Sequence, residues 1–133
     1  MKKLSVLLFI SCLIFSCENN NDTENSIQGK WNVTKVYGGF TQTKNYNIGD
    51  VTWFFNMINK TVTIKNNVDV FNTYYAPSFT NNQSGNYPLE IITENNIDYL
   101  LVEERKGEIK LVDNELTIDF GVALDDIAYI LKR

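Results

Sequence analysis

Val51-Thr52-Trp53-Phe54-Phe55-Asn56-Met57 places apolar residues at every second position, Val51, Trp53, Phe55 and Met57, with Thr52, Phe54 and Asn56 between them. Side chains two apart share one face of an extended strand, so the stretch predicts a strand with one apolar face. A few residues on, Val62 and Ile64 alternate with Thr61, Thr63 and Lys65. The short gap between the two runs predicts an antiparallel hairpin.

The same period governs the chain on both sides. Before it, Trp31, Val33 and Tyr37 alternate with Asn32, Thr34 and Val36. After it come Tyr87, Leu89 and Ile91, then Tyr99 and Leu101, then Ile109 and Leu111. Leu116, Ile118 and Phe120 follow, and Ile127, Tyr129 and Leu131 close the series. No segment carries an i, i+3, i+4, i+7 apolar stripe over two or more turns, so helices contribute little. Asn66-Asn67, Asn95-Asn96, Lys106-Gly107 and Asp113-Asn114 read as turns between the runs. Val68–Tyr75 reads as one more strand, and residues 38–49 and 76–85 read as longer loops. The expected fold is all-β, an antiparallel up-and-down barrel of about eight strands that removes its open edges by closing on itself. At about eight strands the interior is just wide enough to be filled by side chains or to hold one small ligand.

Ahead of this pattern the chain changes character. Lys2 and Lys3 precede an apolar run from Leu4 to Phe15, well short of the roughly 20 residues that a spanning helix needs. A positive head and a short apolar middle describe a signal peptide over residues 1–16. Leu13-Ile14-Phe15-Ser16-Cys17 resembles a bacterial lipobox, which implies Cys17 as the acylated N-terminus of the mature chain; plain secretion is the alternative. Residues 17–26 then read as the lipidated Cys and a flexible acidic tether, because Glu18 to Ser26 contains nothing apolar to bury. An acidic, Asn-rich stretch in that place is similar to the export tags of surface lipoproteins in Bacteroidetes-type bacteria, or it is an ordinary linker. The expected location is the cell envelope, lipid-anchored at the outer membrane or cell surface, with membrane contact through the anchor only. Residues 27–133 form the folded domain.

Composition narrows the chemistry. At 133 residues, 44% hydrophobic and 13% aromatic, the chain can build one packed domain. Cleavage removes two lysines and no acid, so the net charge moves from −4 to −6. That acidity argues against nucleic acid as a partner. Cleavage also removes Cys12, which leaves Cys17 alone and no internal disulfide. There is no His, which excludes His-based triads and most zinc or copper sites. No nucleophile elbow or phosphate loop is present. The expectation is a non-enzyme without cofactor or metal, acting as a monomer.

Gly29-Lys30-Trp31, at the start of the first strand, resembles the Gly-x-Trp that opens lipocalins. The stretches Gly49 to Asn56, Ser84 to Tyr87, Leu116 to Asp119 and Tyr129 to Arg133 fit the same comparison, so residues 27–133 resemble the lipocalin-like domains of Bacteroidetes lipoproteins. The resemblance implies that Trp31 plugs one end of the barrel and that a basic residue of the last strand covers it. Arg133 is the candidate for that cover, with Lys132 second, making a cation–π contact of about 0.5–2 kcal/mol. Gly29, Trp31 and Arg133 are therefore the expected closure residues. The chain lacks the Cys pair and the helix after the barrel that a full lipocalin carries.

Tyr37, Trp53, Phe55, Tyr74, Tyr87, Tyr99 and Phe120 are the candidate lumen residues. They line a pocket for a small hydrophobic or amphipathic ligand, with a Tyr fixing its orientation, or they simply fill the barrel. In the second case the domain is a structural or protein-interaction module of the envelope that makes its contacts through loops 38–49 and 76–85. Phe54, Phe71, Tyr75, Phe79 and Leu100 fall off the main phase and read as a rim or a partner surface. Glu103 and Glu104 point to opposite faces of a strand and cannot act as a carboxylate pair. Asp119, Asp125 and Asp126 lack the alternation of a calcium loop, and Asp125 or Asp126 reads as a turn cap.

Overall fold

The computed structural model describes residues 21–39, 42–68 and 79–133. The strands are β1 (Gly29–Gly38), β2 (Lys44–Asn45), β3 (Val51–Asn56), β4 (Thr61–Asn66), β5 (Gly85–Glu94), β6 (Ile97–Val102), β7 (Arg105–Val112), β8 (Glu115–Asp119) and β9 (Ile127–Lys132). Each pairs antiparallel with its neighbours, and β9 returns to β1 from Asn32↔Lys132 to Gly38↔Ile127. Eight strands therefore form a closed barrel, as the period of two predicts. The two-residue β2 adds a short extra edge on β1 through Lys35↔Asn45 and Val36↔Lys44.

The alternation in β3 sets the inner face. Val51, Trp53 and Phe55 are fully buried, while Phe54 points outward and is 45% exposed. Register then carries that face around the barrel: Trp53 pairs with Ile64, Val62 with Tyr87, Leu89 with Val102, and Leu116 with Leu131. Each of these side chains is buried, and a fully buried large apolar side chain contributes about 1.5–3 kcal/mol.

Three expectations fail for reasons visible in the pairing. In β1, Val33 pairs with Leu131 but Lys35 pairs with Ile130, so Thr34 is an extra residue. This bulge inverts the phase: Val36 packs against the core, and Tyr37 turns outward, where the Lys35 ammonium lies 5.1 Å from its ring centre. In β6, Tyr99-Leu100-Leu101-Val102 is apolar at four successive positions, so alternation alone selects no face. Pairing of Leu100 with Ile91 puts Leu100 and Val102 in the core and Tyr99 outside. Lys106-Gly107 is not a turn. The reversal is made by Glu103 and Glu104, with φ of 48° and 64°, and Gly107 lies inside β7. A Cβ there would sit 2.9 Å from both Ile118 Cγ2 and Phe120 Cε1, so the glycine makes room for Phe120 against the sheet.

A helix, α1 (Asn21–Ile27), occupies the last part of the segment expected to be a structureless tether. Its anchor is tertiary: Ile27 is fully buried, its carbonyl accepts the Trp31 indole N–H at 2.8 Å, and the Thr23 hydroxyl donates to Asp98. Only Val68 of the expected Val68–Tyr75 strand is described. Cys17 and Tyr74 lie outside the described residues, as do residues 1–20 of the leader and tether. No described helix is long and apolar enough to cross a membrane.

Candidate functional site: an aromatic cage at the barrel mouth

The barrel has two unlike ends. β1 begins at one, and that end also holds α1, the β3–β4, β5–β6 and β7–β8 turns, and Arg133. We call it the helix end. The connections β4–β5, β6–β7 and β8–β9 lie at the other, the mouth.

At the helix end Trp31 is fully buried, and the Arg133 guanidinium stands 4.4 Å from its ring centre. The same guanidinium donates to the carbonyls of Ser26 at 2.7 Å and Gln28 at 2.9 Å. Gly29 has a φ of 106°, a left-handed conformation that suits glycine where the chain leaves α1 and enters β1. Lys132 instead pairs with Glu115 across the β8–β9 ladder, at 3.1 Å. Arg133 thus ties the last residue of the chain to the helix and the first strand.

At the mouth, Trp53, Tyr87, Phe120 and Tyr129 project inward and surround Phe79, which enters from the β4–β5 connection on a single 3-10 turn (Phe79–Asn81). The Phe79 ring centre lies 4.7 Å from Trp53, 5.6 Å from Phe120, 6.0 Å from Tyr87 and 6.1 Å from Tyr129. These are contact distances for aromatic pairs, each adding about 0.5–1.5 kcal/mol beyond area burial. Phe55 stands edge-on to Trp53 at 6.1 Å. Phe79 is fully buried, so its expected place on a rim is corrected. Its phase could not be read because it lies on no strand.

The polar tips of the cage are occupied by the segment that carries Phe79. Trp53 Nε1 donates to Asn82 Oδ1 at 2.9 Å, Tyr87 Oη donates to the Gln83 carbonyl at 2.8 Å, and Tyr129 Oη donates to the Thr80 carbonyl. Asn66 Nδ2 donates to the Asn82 carbonyl at 3.0 Å, and the Phe79 N–H donates to Glu103 Oε2 at 3.2 Å. Glu103, exposed on the β6–β7 turn, therefore helps to hold the cap. Burial pushes the Tyr129 hydroxyl well above the ordinary tyrosine range, with Arg105 opposing the shift. The Tyr87 hydroxyl is raised by burial and then by the Glu103 carboxylate. Both are neutral donors near neutrality.

Of the candidate lumen residues, the structure brings Trp53, Phe55, Tyr87 and Phe120 together inside the barrel. It places Tyr37 and Tyr99 outside, where Lys106 Nζ lies 4.1 Å from the Tyr99 ring centre. Sequence reasoning missed Tyr129 as a lumen residue, although its place in the Ile127–Tyr129–Leu131 alternation is a usable signal. Asp119 caps the turn after β8 by accepting the N–H groups of Gly121 and Val122 at 2.7 and 2.8 Å. Asp126 accepts its neighbour's N–H at 2.8 Å and pairs with Arg105. Among the described residues no cluster of His, Cys, Asp or Glu is placed to hold a metal ion.

No protein-family model and no curated protein matches the chain. Among solved structures, it is similar to an uncharacterized protein from Bacteroides eggerthii DSM 20697, at 6% identity and a TM-score of 0.46, over 80% of this chain and 98% of that one.

Proposed function

We propose that the protein is a cell-envelope lipoprotein, acylated at Cys17, whose lipocalin-like barrel is a filled, rigid module that meets a protein partner at its mouth. One observation carries this reading. Phe79 occupies the seat that an apolar ligand would take, and the three polar tips around it bind its own segment. A small-molecule site needs free, convergent polar groups in an apolar pocket, and here those groups hold the cap. Loop residues outside the cap supply the contact surface: at the mouth Ile48 is 67% and Leu124 87% exposed. The lipobox-like Leu13-Ile14-Phe15-Ser16-Cys17 and the acidic residues after it support lipid anchoring at the outer membrane or cell surface. Arg133 over Trp31, behind Gly29, supports kinship with lipocalin-like domains. The module has no catalytic activity of its own.

A second reading is favoured by the cage itself. Its walls match an aromatic or short alkyl group, so an amphipathic ligand could bind by displacing Phe79. Native mass spectrometry of the acylated protein, incubated with a lipid extract of its host, separates the two. The filled module predicts no added mass beyond the anchor and an unchanged melting temperature. A reproducible added mass that disappears in Trp53→Ala would replace this reading with that of a carrier.

A further inference from the structure

Exposed aliphatic side chains cluster at both ends of the barrel. Ile58 (91% exposed), Val112 (54%) and Ile97 (37%) stand at or beside the three turns of the helix end, and Ile48, Val68 and Leu124 stand at the mouth. The wall between carries charge outward, with Lys65, Glu90, Glu108 and Lys110 all exposed on their strands. Laying the wall on a bilayer would strip water from those charges, whereas standing the barrel on its helix end turns Ile58, Ile97 and Val112 toward the lipid and leaves the exposed Lys60 and Asp113 among the headgroups.

Chain length decides which end. Only four residue steps separate Cys17 from Asn21, the first residue of α1, and they reach at most about 14 Å at roughly 3.5 Å per residue. Helix α1 is docked at the helix end through the Trp31 indole and the Asp98 carboxylate. The ten residues of β1 rise about 25 Å along the barrel axis, at roughly 3.3 Å per residue and a tilt near 40°. The mouth therefore lies beyond the reach of an anchor at Cys17.

We infer that the helix end is a membrane-seating surface, with Ile58, Ile97 and Val112 entering the lipid interface beside the acyl anchor and the mouth facing away. Aliphatic side chains gain by leaving water at that interface, and the mature charge of the chain favours a zwitterionic lipid over an anionic one. The inference rests on acylation of Cys17. It adds an orientation that acylation alone does not impose.

The test uses the full chain, expressed with its leader, acylated and reconstituted in phosphatidylcholine vesicles. Ile58→Cys and Leu124→Cys variants receive an environment-sensitive fluorophore; both sites are highly exposed, so the core is untouched, and an acylated Cys17 keeps no free thiol. Seating predicts a blue-shifted probe at 58 that brominated acyl chains quench several-fold more than the probe at 124. Protein that floats with the vesicles but is quenched equally at both sites, or more at 124, overturns the orientation and leaves the anchor standing. Failure to float, or a floating chain whose mass shows the leader retained and no acyl groups on Cys17, overturns the lipoprotein reading and the seating with it.

Discussion

At the helix end the barrel is closed by chain that adjoins β1, with Ile27 accepting from Trp31 four residues later. At the mouth it is closed by Phe79, which lies 26 positions beyond Trp53 and reaches it through a long connection. Both ends use a buried aromatic with its polar neighbours satisfied, but the first closure starts from a local contact to which Arg133 is added from the last strand, and the second has no local part. A local closure costs little chain entropy and forms with the first strand, whereas a distant one forms only when the barrel is in place to receive it. The mouth should therefore be the more consequential end to damage and the easier to open.

Substitutions can break that comparison. Trp53→Ala removes the ring that touches Phe55, Phe79 and Tyr129 and should cost about 4–5 kcal/mol in urea unfolding, at the upper end for a buried aromatic. Phe79→Ala should cost about 3 kcal/mol, because the cap can partly collapse into the space. It should also speed hydrogen exchange of the Asn82 amide, which donates to the Phe79 carbonyl. Asn82→Ala leaves the buried Trp53 indole N–H without its acceptor, a loss of about 2 kcal/mol. Arg133→Ala at the helix end should cost only about 1 kcal/mol, because the guanidinium is exposed. An Arg133→Ala loss larger than that of Phe79→Ala would reverse the ranking of the two ends.

The smallest effect near neutrality is the one of pH. Tyr87 and Tyr129, both at the mouth, have hydroxyls raised above the ordinary value of 10.0. Below that pH both are protonated in the folded and unfolded chain, and their contribution is fully present. Above it the unfolded chain loses protons that the folded chain keeps, so stability falls as pH rises from 10.0 toward the folded values. Urea midpoints on either side of about pH 10 should show the fall, and Tyr129→Phe should reduce it. An undiminished fall in that variant would place the alkaline weakness elsewhere.

What could be read from the chain, and what could not, follows from the nature of a period of two. Strict alternation at Val51-Trp53-Phe55 and Leu116-Ile118 marks strands and one buried face without any partner, since adjacent side chains must point to opposite sides. Eight such runs, most of them joined by short turns, are enough to expect a closed antiparallel barrel. Phase is another matter. Thr34 inserts one residue in β1 and sends Tyr37 outward, and no local signal marks the insertion. In β6 the apolar run 99–102 fits either face until Ile91 pairs with Leu100. Gly107 looks like a turn residue until Phe120 is laid against it. Phe79 has no period to obey, so only the assembled cage of Trp53, Tyr87, Phe120 and Tyr129 assigns it a place. Local alternation is a property of the backbone and is written in consecutive residues; which face is inside, and what plugs the mouth, depend on contacts between residues far apart in the chain.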